Sequence, residues 1–409
     1  MSITFCQSES NNIDIFKVRG TNLDELLIWF NIGAMNEKKD FHGVVHLTEH
    51  LISNISYKGI YFSDFLSQKN IKLEMRTGLD SMYIYLVSPL GKIADNFREI
   101  FEYLILGSIS EVELFKEKRI IHKEKISRKF DRLKVYQDEL NGLIWSKELN
   151  IDILGKNLTN ITLEDVLKTR GNLFLPSNMK LYFSGEVSDK SIEDTLDGLL
   201  LNQENIDESP ICCQSNLVDY FKTGNNSKVL DSNPGVMVSL SYLFDEALCE
   251  KESIILSLLC LLMVNGTSGF LFDNLRKKLA DLYFIVARAY YYFDTPIFEV
   301  QYIDSKDNLK NVSEINEFIL GIFRSSEFSK YTKLYLETCK TELTNIINCQ
   351  VNSGSMKIFF IYLAKEHQIG RSHIVLESTL ELIDSITSED ISHFLDKISS
   401  RNFSIAILK

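Results

Sequence analysis

Runs of apolar residues, cut by polar stretches, divide the chain into short strands and longer helices. DELLIWFNIGA at 24–34 and SMYIYLVS at 81–88 are short and rich in β-branched and aromatic residues, which predicts strands. The stretches 42–56, 91–106 and 110–134 predict helices. The same mixture returns later. VMVSLSYLF at 236–244, FIVARAYYY from Phe284 and PIFEVQYID ending at Asp304 predict strands, the last two joined as a hairpin by Phe293-Asp294-Thr295. Helices are expected over 247–264, 268–279, 308–323 and 328–350.

Between the two parts lies LNQENIDESP at 201–210, polar and without periodicity, which predicts a linker. Each part also closes in the same way. Ile161-Thr162-Leu163-Glu164-Asp165 and Ile386-Thr387-Ser388-Glu389-Asp390 both hold a Thr-x-x-Asp capping box, and a β-rich run follows each, from Asn178 and from Asn402. The offsets of 225 and 224 residues favour a duplicated domain. The expected fold is therefore α+β, with two homologous domains, each a largely antiparallel sheet with helices packed on it. Their expected ranges are 1–205 and 211–409.

Composition narrows the function. A length of 409 residues suffices for two full cores. The net charge of −12 argues against nucleic-acid binding, which needs a basic surface. No run of about 18 apolar residues is present, so no membrane span is expected. The first residues, MSITFCQSESNNIDIF, lack a basic and apolar export signal, and a cytoplasmic protein is expected. Cys6, Cys212, Cys213, Cys249, Cys260, Cys339 and Cys349 are scattered, with no C-x-x-C, which suits reduced, mostly buried thiols.

The chemistry concentrates in GVVHLTEHL, Gly43 to Leu51. On a helix, His46 and His50 lie one turn apart on one face and can aim two imidazoles at one metal ion. Glu49 shares the rim of that face and can reach a water on the metal. Val44, Val45, Leu47, Leu51 and Ile52 predict a buried helix, where a polar trio needs partners. His42, one turn earlier, reads as a surface or cap residue. His367, His373 and His393 lack ligand spacing and read as structural.

Two histidines leave a hydrolytic zinc site one ligand short. In EVELFKEKRIIHKEKISRKF, 111–130, Glu117 and Glu124 are two turns apart and share a face with Leu114 and Ile121. Val112, Phe115, Ile126 and Phe130 lie on the opposite face, so this helix is expected to be packed on two sides. Taken alone, the glutamate pair is a weak signal. Glu111, Glu113 and His122 compete for the role, and a solvated charged helix would look similar.

Together these residues resemble the pitrilysin and mitochondrial processing peptidase family, the inverzincins, whose metal helix carries H-x-x-E-H. The resemblance implies that His46, His50 and Glu124 bind zinc, with Glu124 standing 74 residues after His50. It implies Glu49 as general base and Glu117 as a group orienting a ligand. Gly33-Ala-Met-Asn-Glu37 resembles the family's G-x-x-x-E, and Thr77, Asp80 and Tyr83 resemble its next strand. Arg276 and Tyr283, seven apart after Asn265-Gly-Thr-Ser-Gly269, resemble the pair that orients substrate and stabilises the oxyanion. Glu74-Met75-Arg76 departs from the family's usual lead-in to that threonine, which bears on cleavage preference.

In function, the resemblance implies a zinc-dependent endopeptidase acting on short or unfolded peptides, such as a small precursor. A homodimer, or a heterodimer with a related subunit, is implied as the working form. The alternative is a non-catalytic or partner-dependent subunit, which would typically lack a ligand or the base. A lyase that shares H-x-x-E-H and uses a cysteine is a weaker rival, with Cys6 as its one candidate.

Overall fold

A computed structural model describes residues 4–10, 13–19, 21–156, 158–185, 187–200, 211, 217–230, 235–265, 268–278, 284–305, 309–352, 355–371, 376–399 and 401–409. The expected linker at 201–210 and Tyr283 lie outside the described residues. The chain forms two compact units. The first comprises Met1–Asp131, Asn150–Ser215 and Gln350–Lys365; the second comprises Arg132–Leu149, Asn216–Cys349 and Glu366–Lys409. Each unit thus takes one short segment from the other part of the sequence.

The first unit is built on a six-stranded sheet. Across it run Thr4–Ser10, Ile13–Arg19, Met179–Ser184, Leu23–Phe30, Met82–Pro89 and, at the edge, Lys72–Thr77. Met179–Ser184 runs parallel to Ile13–Arg19, and the other pairings are antiparallel. Leu23–Phe30 is buried at every position but the first, because both faces of the sheet are covered. On one face Leu26, Ile28 and Phe30 join Val44, Leu47 and Leu51 in the core. The other face meets the segment before and within the helix Lys357–Gln368. There Glu25 accepts bonds from Ser355 Oγ (2.7 Å) and Met356 N (2.8 Å), Phe360 packs on Tyr182, and Lys365 Nζ lies 5.2 Å from the Trp29 ring.

The second unit repeats this plan with five strands, ordered Phe284–Tyr292, Thr295–Ser305, Gly235–Leu243, Phe403–Leu408 and Gly224–Lys228. Its closing strand, Phe403–Leu408, is again parallel to the first strand of the unit and antiparallel to the next. When the two main sheets are matched strand by strand, Thr4–Ser10 alone has no counterpart among the described residues. The shared topology agrees with the duplication read from the two capping boxes. Both boxes form: Asp165 Oδ2 accepts from Thr162 N at 2.8 Å, and Asp390 Oδ2 from Thr387 N at 2.9 Å. The hairpin turns at Phe293, which holds a positive φ of 53°.

Four expectations need correction. The helix expected over 110–134 stops at Arg128, and a new helix, Arg132–Ile144, begins after a tight turn. No glycine or proline marks that break. Thr77 and Tyr83 stand on two antiparallel strands, not one, joined through Gly78–Ser81. The 111–128 helix is packed on one side only: Leu114, Glu117 and Ile121 are buried, whereas Val112, Phe115 and Ile126 are exposed. The thiols also divide differently from expectation, with Cys339 buried, Cys260 half-buried, and Cys249 and Cys349 exposed, all four free.

Candidate metal centre

The site rests on the helix Val44–Ile52, which is buried along almost its whole length. Its start is fixed by Glu37. That carboxylate accepts from Gly43 N at 2.7 Å and Val45 N at 2.8 Å, satisfying donors that a helix N-terminus leaves open. Asn150 Nδ2 adds a third bond at 2.7 Å. Burial pushes the Glu37 carboxyl up to about 8, against the pull of these donors. Gly43 caps the helix at φ 103° and packs against Gly155, where a Cβ would meet Gly43 Cα at 2.4 Å. Gly33 lies as close to the strand-connecting turn, since a Cβ there would sit 2.4 Å from Ser81 N. The G-x-x-x-E stretch is thus a close backbone contact followed by a helix cap. His42, expected at the surface or as a cap, is buried and caps the short helix Lys39–Phe41 just before Gly43.

From this helix His46 and His50 project side by side, their rings 4.7 Å apart and nearly perpendicular. Glu124, from the helix Glu111–Arg128, completes the group. Its Oε2 lies 3.9 Å from His46 Nε2 and 3.6 Å from His50 Nε2, and one ligand atom from each residue falls within 4.8 Å of the others. Ligands about 2.0–2.2 Å from a tetrahedral zinc lie about 3.3–3.6 Å apart, close to the separations of Glu124 from the two imidazoles, so the three donors suit that ion.

The surroundings support the same fit. His46 is buried, and its Nδ1 has no hydrogen-bond partner among the described residues. A cation at Nε2 would give that nitrogen a partner and leave Nδ1 as the N–H of the neutral ring. Burial, reinforced by neighbouring His50, lowers the His46 pKa to about 3, which keeps it in the neutral form that binds metals. His50 Nδ1 bonds Glu117 Oε2 at 2.9 Å, leaving Nε2 for the metal. Asn54 Nδ2 holds the other Glu117 oxygen at 3.0 Å. Glu117 thus links His50 to Asn54, a partner that spacing could not reveal.

Glu49 is buried beside the cluster. Thr77 Oγ1 donates to its Oε2 at 2.5 Å, tying it to the end of the edge strand. Burial raises the Glu49 pKa, with the Thr77 bond pulling the other way. Next to it, Asp80 is held by Lys365 Nζ at 2.6 Å, and Tyr83 donates to Glu74 at 3.1 Å. Arg276 lies on the helix Phe270–Lys278 in the second unit. Glu111, Glu113 and His122, which had competed for the third-ligand role, do not join the cluster.

One consequence can be measured directly. Glu117→Gln keeps the shape but weakens the hold on His50, and an outer partner of this kind is worth roughly 10–100-fold in metal affinity. Zinc titration against a competing chelator should show a loss in that range with the fold unchanged.

Comparison with known proteins finds relatives of the same fold. Residues 160–343 match the family described as the peptidase M16 inactive domain. An uncharacterized zinc protease of Rickettsia felis is 22% identical over 395 residues, covering 92% of this chain and 90% of its own. In sequence and fold the chain resembles the pitrilysin-like M16 peptidases. Solved structures with the same fold include a protease from Helicobacter pylori, with TM-score 0.77, 17% identity and all of both chains covered. An M16 inactive domain from Pseudomonas fluorescens gives TM-score 0.80 at 14% identity, over 99% of this chain and 97% of its own. The matched stretch of the family model begins after Glu124, so its description as inactive concerns a region without the His46–His50–Glu124 cluster. Among the described residues no helix is long and apolar enough to cross a membrane.

Proposed function

We propose that this M16-like protein is a zinc-dependent endopeptidase that hydrolyses short or unfolded peptides. The carrying observation is the convergence of His46, His50 and Glu124, with Glu49 beside them and Glu117 behind His50. Zinc bound there would polarise the scissile carbonyl and lower the pKa of its water to about 7. Glu49 takes a proton from the attacking water and passes it to the leaving amine. Its burial suits both halves of that task, because a raised pKa lets it hold the proton in between. Glu117 keeps His50 in one tautomer and one orientation.

Among the described residues the edge strand Lys72–Thr77 has one side free of strand partners, and it ends at the residue that bonds Glu49. An extended peptide added along this edge would lead its backbone toward the base. Arg276 and Tyr283 are assigned, by resemblance, to substrate orientation and oxyanion stabilisation. The working form is a homodimer or a pair with a related subunit, in the cytoplasm, acting on a small precursor peptide.

A non-catalytic subunit is the competing reading, favoured only by the inactive-domain description. Retention of all three donors and the base weighs against it. The test is incubation of the purified chain with unstructured peptides, read by mass spectrometry, with and without a chelator. Cleavage that stops on chelation and returns with zinc supports the peptidase. A chain that binds zinc but leaves every peptide intact supports the subunit.

A further inference from the structure

The helix that presents Glu117 and Glu124 inward carries a second, uncovered face. Phe115 is 63% exposed, and Phe130, just past the helix end, is 82% exposed. Val112 and Ile126 are exposed as well. At 100° per residue Val112, Phe115 and Ile126 share one stripe with Arg119 and Lys123, opposite Leu114 and Ile121, and Phe130 follows just past the helix end. Arg119 lies over the Phe115 ring, 5.8 Å from its centroid. Lys116 and Lys129 flank the stripe and are also exposed. No Asp or Glu falls within it. A chain of net charge −12 thus gathers cationic and aromatic side chains on one convex helix.

The charge selects the occupant. Two copies joined symmetrically through this face would set Arg119 and Lys123 against their own counterparts, which is repulsive. The area selects further. Three apolar side chains on the helix and Phe130 past its end offer roughly a few hundred Å², short of the approximately 800 Å² per partner of a stable protein complex. A lipid surface has no such threshold, because shallow burial of apolar side chains and attraction to anionic headgroups add along the helix. We infer that this face docks on an anionic lipid bilayer. Phe115, Ile126 and Phe130 enter the interface, and Arg119, Lys123 and their neighbours meet the headgroups.

The test is co-sedimentation of the full chain with phosphatidylcholine vesicles, with and without phosphatidylglycerol, at low and high salt. The native chain is expected to bind only the anionic vesicles and to release in high salt. Phe115→Ser with Phe130→Ser, and separately Arg119→Gln with Lys123→Gln, should each lower binding about tenfold or more. Both double variants should keep the native circular dichroism and melting temperature, since these side chains face outward. Failure to bind anionic vesicles, equal binding to both kinds, or native-like binding by the variants would overturn the inference. Self-association abolished by Phe130→Ser, without vesicle binding, would assign the face to a protein contact instead.

Discussion

Glu49→Gln should leave a folded chain that binds zinc and no longer cleaves peptides. The substitution keeps the size of the side chain and an oxygen to accept the Thr77 hydroxyl, which now lies 2.5 Å away. It removes the ability to take a proton. Glu49 is not among the three donors that converge, so metal content should match the native chain. General-base removal typically costs about 10²–10⁴-fold, and here one carboxylate serves both proton transfers, so the upper end is expected. The comparison to make is the single-turnover rate on one cleaved peptide beside zinc content. Loss of rate with full zinc assigns the role. A native rate in Glu49→Gln would remove Glu49 from the chemistry.

Glu124→Gln should fail at an earlier stage, by losing the metal. Glu124 is the one anionic donor of the three, and it belongs to a different helix from the histidines. A neutral amide is a poorer ligand, and His46 and His50 alone bind zinc weakly. The drop in affinity should exceed the roughly 10–100-fold expected of an outer partner such as Glu117. Its side chain is half exposed, so the fold should tolerate the change. Zinc titration of the two variants in parallel gives the ordering: Glu117→Gln reduced, Glu124→Gln reduced further, with activity recovered in the first at high zinc. Equal affinity in Glu124→Gln and the native chain would exclude Glu124 as a ligand.

The parts of this site that the sequence made legible are those set by short spacing. His46, Glu49 and His50 share a face because helix geometry requires it, and Glu117 and Glu124 share another for the same reason. The two capping boxes and the closing strands were readable because their signals are local. What brings the pieces together was not. Asn150 braces Glu37 from 113 positions away, and Lys365 reaches Asp80 across 285; no periodicity encodes such pairs. The resemblance to a known family, not spacing, selected Glu124 from several acidic candidates. The turn at Lys129–Asp131 carries no breaker residue, so a single long helix was the natural expectation. The outer stripe of that helix looked like a second packing face because apolar periodicity records burial against something, without saying whether the chain itself provides it.

X-ray absorption at the zinc edge, on chain purified without added metal, tests the central claim most directly. One zinc per chain, bound by nitrogen and oxygen at about 2.0–2.2 Å with no sulfur, is the expected result for His46, His50, Glu124 and a water. Absence of zinc, or a shell of sulfur at about 2.3 Å, would contradict it.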